Sequence, residues 1–249
     1  MSPAPKILYF DIETFPLLAH VWSRFVDGPV VAIEREWSIG CIAWQWEGGK
    51  VQVRSLKGMD VHDDTHLLNV LWELFDEADV VIGHNGNKFD IKKVQARFLL
   101  EGFDPPSPFQ SIDTLVIARR HFALTSNKLN DLCQALGMGE KVDTGGWSLW
   151  AGCLEGDARS WAKMEKYNKQ DIVLLRDLYM KLRPWATSHP TIHTAGCPVC
   201  GSDHIQSRGT RRVQSLTYRQ FQCMECMGWF KSAKATDDVK PAYKSAVRR

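Results

Sequence analysis

The chain has 249 residues, 44% of them hydrophobic and 24% charged, which is the balance of a globular protein with one core of ordinary size and room for a small appendage. No apolar run approaches the roughly 18 residues of a membrane span, and the first apolar run stops after four residues at an acid, too short for a secretory signal, so a cytoplasmic protein is expected. The net charge of +2 hides an asymmetry: residues 1–190 carry net −4, whereas residues 191–249 carry 10 basic side chains against 4 acidic ones, a cationic segment suited to phosphates.

In chain order, residues 6–10 form an apolar run that ends in carboxylates, which predicts a buried central strand with its chemistry at the C-terminal end. Residues 38–46 and 51–55, separated by Gly48 and Gly49, predict a hairpin. Leu67, Leu68, Leu71, Leu74 and Phe75 share one face of a helix over residues 64–77, and residues 79–82 read as another strand. A GHNGN loop follows, then a helix over residues 90–100 that Gly102 and the following prolines end. Residues 112–117 fit either a strand or the first turn of a helix. Residues 127–136 predict a helix closed by Gly137, and residues 158–182 a long amphipathic helix before Pro184. Strands and helices interleave without an internal repeat, so the expected fold is α/β with a mixed sheet flanked by helices. The expected domains are 1–188, a small module at 189–231 entered by a linker over residues 189–195, and a basic, disordered tail at 232–249.

Alternate side chains of a strand share a face, so Asp11 and Glu13 of FDIET project together. Two adjacent carboxylates repel unless a divalent cation neutralises them, although such a pair alone also fits a solvated strand end. Asp90 closes NGNKFD at a loop-helix junction, where a plain capping role would also serve. Tyr167 and Asp171 of YNKQD lie one turn apart on the long helix, and Asp171 opens the apolar run Ile172 to Leu175, where a carboxylate needs a partner. Four acids from a strand, a junction and a distant helix can converge on one two-metal site.

These three motifs, in order and spacing, resemble those of the DEDD superfamily of RNase H-like 3′–5′ exonucleases. The resemblance covers about residues 6–183. It is to the tyrosine-bearing subclass, typified by the proofreading domains of family B DNA polymerases, because the position a histidine would take is Lys166. The segments DEADVVIGHNGNKFDIKK and SNKLNDLCQALGMGEK also look like those of stand-alone phage and bacterial members. The resemblance implies a bacterial or phage-infected cell and two Mg²⁺ or Mn²⁺ ions. Asp11 would bridge the ions, Glu13 and Asp171 would hold the one that activates water, and Asp90 would support the other. Tyr167 would orient the water, and Asn85 and Phe89 would contact the strand. His84 reads as a solvated loop residue and Asp113 as a strand-end or capping acid.

Cys197, Cys200, Cys223 and Cys226 form two CxxC knuckles 22 residues apart, a spacing for one structural Zn²⁺ and not for disulfides. Cys41, Cys133 and Cys153 read as core residues. The module resembles a zinc ribbon. Between the knuckles, strands joined by a basic turn would offer Arg208, Arg211 and Arg212 to phosphates, with Phe221 and Trp229 in the core. The implied substrate is single-stranded DNA or the 3′ end of a duplex, with a replication or repair protein as partner and no membrane. An RNA-trimming enzyme and a non-catalytic nucleic-acid-binding protein are the alternatives.

Overall fold

Strand β1, Ile7–Phe15, is the middle of a five-stranded sheet because it can pair on both edges and bury both faces. The computed structural model describes residues 5–186, 189, 195–213 and 216–236. On one side β1 pairs antiparallel with β4, Ser38–Trp46, which pairs with β5, Gln52–Ser55. On the other it pairs parallel with β6, Val80–Gly83, followed by β7, Gln110–Asp113. The order β5-β4-β1-β6-β7 is the mixed sheet that the sequence implies. The linker strands β2, Leu18–His20, and β3, Ala32–Arg35, form a separate exposed ribbon that the sequence pattern did not signal.

The helices cover both faces. On one face, Phe10 of β1 packs edge-on against Phe75, 5.0 Å between centroids, in helix α1, Thr65–Glu77. Helix α2, Asp90–Leu100, adds Phe98 beside Phe75. On the other face, Tyr9 and Phe15 meet Tyr179 and Trp161, both in one long helix. That helix, Ala158–Leu182, starts where Asp157 accepts two hydrogen bonds of 2.7 Å from the amide and hydroxyl of Ser160, and it stops before Pro184. Between them lie α3, Thr114–His121, α4, Leu129–Ala135, and α5, Trp147–Leu154, so the long helix is α6. Cys41, Cys133 and Cys153 are buried as free thiols. No helix among the described residues is long and apolar enough to cross a membrane.

Several expectations change. β1 does not end at Phe10: its ladder with β4 continues to Phe15 opposite Ser38, so Asp11 and Glu13 lie within the strand. The ambiguous stretch is a strand up to Asp113 and a helix from Thr114, because the Asp113 carboxylate accepts the Leu115 amide at 2.9 Å and turns the chain. Helix α5 was not foreseen; its eight residues are too few to show a clear period.

The described residues divide into two compact units, Pro5–Met180 and those from Lys181 on. Within the second, β8, Ile205–Val213, β9, Leu216–Cys223, and β10, Trp229–Lys231, form an antiparallel sheet in the order β10-β9-β8. Arg208, Arg211 and Arg212 therefore lie along a strand and not in a turn, since Arg211 and Arg212 pair opposite Tyr218 and Thr217. Trp229 is 52% exposed, so it is no core residue; Phe230 stacks on Phe221 instead. Residues 232–236 run beside β9, with the Ser232 and Thr236 amides bonded to the carbonyls of Arg219 and Thr217, so the start of the expected tail is ordered. Residues 237–249 and most of the expected linker, 190–194, lie outside the described residues.

One buried ion pair joins the start of α1 to the last turn of α2. Asp64, fully buried, accepts the Ile39 amide at 2.9 Å and two guanidinium nitrogens of Arg97 at 3.0 and 2.7 Å. It thereby ties α1, α2 and β4 together. Asp64→Ala removes the buried partner of Arg97 and leaves it only the half-exposed Glu101, 2.8 Å away, and the expected loss is about 3 kcal/mol, read as a lower urea midpoint with an unchanged slope.

Candidate metal centres

Strand and helix periodicities meet at the carboxylates. Asp11 and Glu13 share the β1 face that looks toward α6, and α6 answers with Tyr167, Asn168 and Asp171, three residues within little more than one turn. Carboxylate oxygens of Asp11, Glu13 and Asp171 lie within 4.8 Å of one another. Asp171 is buried, whereas Asp11 and Glu13 keep a partly open side. Asp90 is outside this trio but close to Asp11. It does not cap its own helix; its Oδ1 accepts the Ile12 amide at 3.4 Å, so α2 delivers it to the strand.

The electrostatics follow from crowding acids in a protein-lined recess. Burial, then the charges of Asp90, Asp171 and Glu13, hold the Asp11 carboxyl well above the usual range. Burial and Asp171 push Glu13 up to about 8. Burial pushes Asp90 to about 7 against the amide hydrogen bonds it accepts. Asp171 is likewise raised by burial, with Lys141 pulling the other way. The Tyr167 phenol is raised by burial and by Glu13, Asp171 and Asp11, so it remains a donor and is no base at neutral pH.

Two members of the site have no place in the motif reading. Asn168 is fully buried, and its Nδ2 donates to Asp11 Oδ2 at 2.7 Å. A helix-interior asparagine three residues before Asp171 was a usable signal, since asparagine is a poor helix former without a partner. Lys141, in the loop after α4, donates to Asp171 Oδ2 at 2.5 Å and to the Tyr167 hydroxyl at 3.3 Å. Its own amide is held by Asn130 Oδ1 at 2.8 Å. Burial opposes the ammonium, but Asp171, Asp11 and Glu13 outweigh it and keep Lys141 charged. No local pattern marks this lysine.

The loop before Asp90 is held by Asp113. Besides capping α3, its carboxylate accepts the amides of Asn85 and Asn87 at 2.9 and 3.2 Å, which fixes Asn85 at φ 65°. Asparagine tolerates that left-handed conformation better than most residues. His84 is not a solvated loop residue: it is half-buried, with Nδ1 2.8 Å from the Thr114 hydroxyl and Nε2 3.0 Å from the Asn127 carbonyl. Burial lowers its pKa. His84, Asn85, Arg119, Asn127, Asn130 and Lys141 line a cleft of about 660 Å³, so Lys141 belongs both to the cleft and to the carboxylate cluster. Phe89 is 40% exposed and lies outside that cleft.

One ammonium cannot balance four acids once they ionise, and Asp171 Oδ1 is buried with no hydrogen-bond partner among the described residues. An unpartnered buried acceptor beside two further carboxylates fits a divalent cation of the hard, oxygen-preferring kind.

The second unit holds the four cysteines, whose sulfurs all lie within 4.8 Å of one another. Cys197 and Cys226 are 3.7 Å apart and Cys200 and Cys223 3.6 Å apart, too far for disulfides. These lengths match the edge of about 3.8 Å that a tetrahedron with Zn–S of about 2.3 Å requires. The Val199 and Glu225 amides point at Cys197 and Cys223 sulfur at 3.4 Å. Gly201 at φ 76° and Met227 at φ 60° make the tight turns after each knuckle, so the second knuckle manages without glycine there. These residues fit one Zn²⁺ in a closed site.

The profile of the RNase H superfamily matches residues 8–183. Comparison with curated proteins gives no match. Among solved structures, a family B DNA polymerase from the hyperthermophilic archaeon Pyrobaculum calidifontis is similar, with 18% identity and a TM-score of 0.53. The match covers 73% of this chain and 25% of that one, so the chain spans about a quarter of the polymerase.

The raised carboxyls make a signed prediction. A folded-state pKa above the unfolded value means that the fold binds protons more tightly, so this contribution is complete below about pH 4 and is lost as pH rises through the folded values. For Glu13 and Asp90 those values are about 8 and about 7. Without added Mg²⁺ or Mn²⁺, melting of the Pro5–Met180 unit should therefore drop between pH 5 and 8. Either ion at pH 8 should restore it, and Asp11→Asn should shrink the drop. Calorimetry across that range checks all three.

Proposed function

Because the chain belongs to the RNase H superfamily, we propose that it is a nuclease that uses divalent metal ions to hydrolyse the terminal phosphodiester at the 3′ end of a single strand, with DNA as its substrate. The observation that carries this reading is the trio Asp11, Glu13 and Asp171, oxygens within 4.8 Å and facing a partly open recess. Two Mg²⁺ or Mn²⁺ ions, when bound, would supply an activated water and stabilise charge on the leaving oxygen.

The chain's own residues divide the remaining work. Asp11, Glu13 and Asp171 would hold the ions, with Asp90 supporting from the start of α2. Asn168 keeps the Asp11 carboxylate oriented through its 2.7 Å hydrogen bond. Tyr167, protonated at working pH, donates a hydrogen bond that aims the attacking water. The terminal nucleotide occupies the cleft that Asn85, Asn127 and Asn130 line with amides, and Lys141 at its edge meets the phosphate. The 3′ polarity rests on the motif resemblance, and the choice of DNA on that resemblance together with the polymerase neighbour. The C-terminal unit binds one Zn²⁺ through Cys197, Cys200, Cys223 and Cys226 for stability, and its positive charge helps to hold the strand.

Digestion of end-labelled single-stranded DNA and RNA of matched sequence tests this reading. With Mg²⁺ or Mn²⁺, 5′-labelled DNA should shorten stepwise from its 3′ end, and EDTA should stop the reaction. Faster RNA trimming would reassign the substrate, and binding without cutting under any metal would leave a non-catalytic reader.

Asp11→Asn or Asp171→Asn should abolish turnover with the fold retained, since neutralising one acid relieves repulsion. Tyr167→Phe should slow single-turnover cleavage by about 10- to 1000-fold without ending it, because it loses only positioning. Quench-flow on labelled DNA separates these outcomes.

A further inference from the structure

We propose that one face of the C-terminal three-stranded sheet is a binding site for a nucleobase and its flanking phosphates, with Trp229 as the stacking platform and Arg211 and Lys231 as the anion contacts. The nature of the ligand rests on the nuclease reading, and the site locates where the strand beyond the cut is held.

Strand register sorts the side chains. Trp229 pairs opposite Gln222, Lys231 opposite Gln220, and Arg211 opposite Tyr218, and these three β9 positions alternate onto one face. Phe221, Arg219 and Thr217 occupy the other face, with Phe230 opposite Phe221 and Arg212 opposite Thr217. On that second face Phe221 and Phe230 stack with centroids 5.6 Å apart, next to Cys223, and form the apolar centre of the module. A module this small needs its large apolar side chains inside. Trp229 nevertheless stands 52% exposed on the opposite face.

The cations are on the tryptophan's side. Lys231 Nζ lies 3.8 Å from the centre of the Tyr218 ring, which settles the ammonium over an aromatic face. Arg208 joins the same face through a 3.1 Å hydrogen bond from its Nε to Gln222. Arg211, Val213, Gln220, Trp229, Phe230 and Lys231 line a cleft of about 320 Å³, and none of these described residues is acidic. A flat apolar ring on the same face as two cations complements a base joined to phosphates. Unpaired bases alone offer a free ring face, so the ligand is a single strand. The +6 charge of residues 191–249 adds the long-range attraction.

The test uses the full-length chain carrying Asp11→Asn to stop cutting, with Mg²⁺ and no chelator. Anisotropy of a fluorescent single-stranded DNA gives affinity over a series of salt concentrations, and zinc content confirms the folded ribbon. Trp229→Ala should weaken binding about tenfold, and Trp229→Phe should keep most of the affinity. Arg211→Gln with Lys231→Gln should flatten the slope of log K against log salt by about 1.4, the share of two phosphates on a single strand. Arg212→Gln, on the other face, should change the slope less than Arg211→Gln. Unchanged affinity in Trp229→Ala, or equal effects of Arg211→Gln and Arg212→Gln, would overturn the site. Should Trp229→Ala lose zinc, the arginine and lysine variants decide, since their side chains lie outside the apolar centre. The nuclease reading fails separately, if the unsubstituted chain cuts no strand while Trp229 still governs binding.

Discussion

Like charges brought together out of water are the constraint on which the unit Pro5–Met180 turns. Asp11, Glu13 and Asp171 meet within 4.8 Å, and Asp90 adds a fourth charge beside Asp11. Such an arrangement costs stability in the absence of a cation, because burial and mutual repulsion both disfavour the ionised forms. The fold tolerates it through the depth of the core around it. β1 has neighbours on both edges, and its flanking residues Tyr9, Phe10 and Phe15 each engage an aromatic ring from a covering helix. Lys141 offsets part of the charge through Asp171.

The same constraint explains the supporting polar groups. Asn168 fixes the direction of Asp11, and Asp113 holds the backbone of the loop that leads to Asp90. His84 pins that loop to Thr114 and to the carbonyl of Asn127. Asp64 and Arg97 lock α2, the helix that opens with Asp90, against α1 and β4. Each carboxylate of the cluster is thus oriented by an element whose own position is set by hydrogen bonds or by packing, as the proposed role in holding ions would require.

The C-terminal unit solves a different problem. Its three strands enclose little more than the Phe221 and Phe230 stack, and four sulfurs at zinc-binding spacing are placed so that a bound metal would supply the cohesion that a core this small lacks. Cohesion of that kind would free one sheet face from packing duty. That face carries Trp229, Lys231 and Arg211, where a larger domain would have buried its aromatics.

The sequence alone determined whatever depends on local period and spacing. FDIET placed two acids on one strand face, Tyr167 and Asp171 followed from helical spacing, α2 and α6 were legible residue for residue, and the two knuckles specified a four-cysteine cluster. Where a signal needed a longer pattern it faded: α5 was too short, and β2 and β3 lack alternation. The arginines read as a turn because Gly209 sits among them, whereas the ladder with β9 absorbs it as a bulge. The capping role of Asp113 was legible, but its hold on Asn85 and Asn87, like the contacts of Lys141 and His84, could be assigned only in three dimensions. These partners lie 26 to 43 residues away, and no short-range preference encodes a contact across such a loop. Periodicity dictates which way a side chain points along its own element, but what it meets there is decided by the packing of elements that the chain brings together from afar.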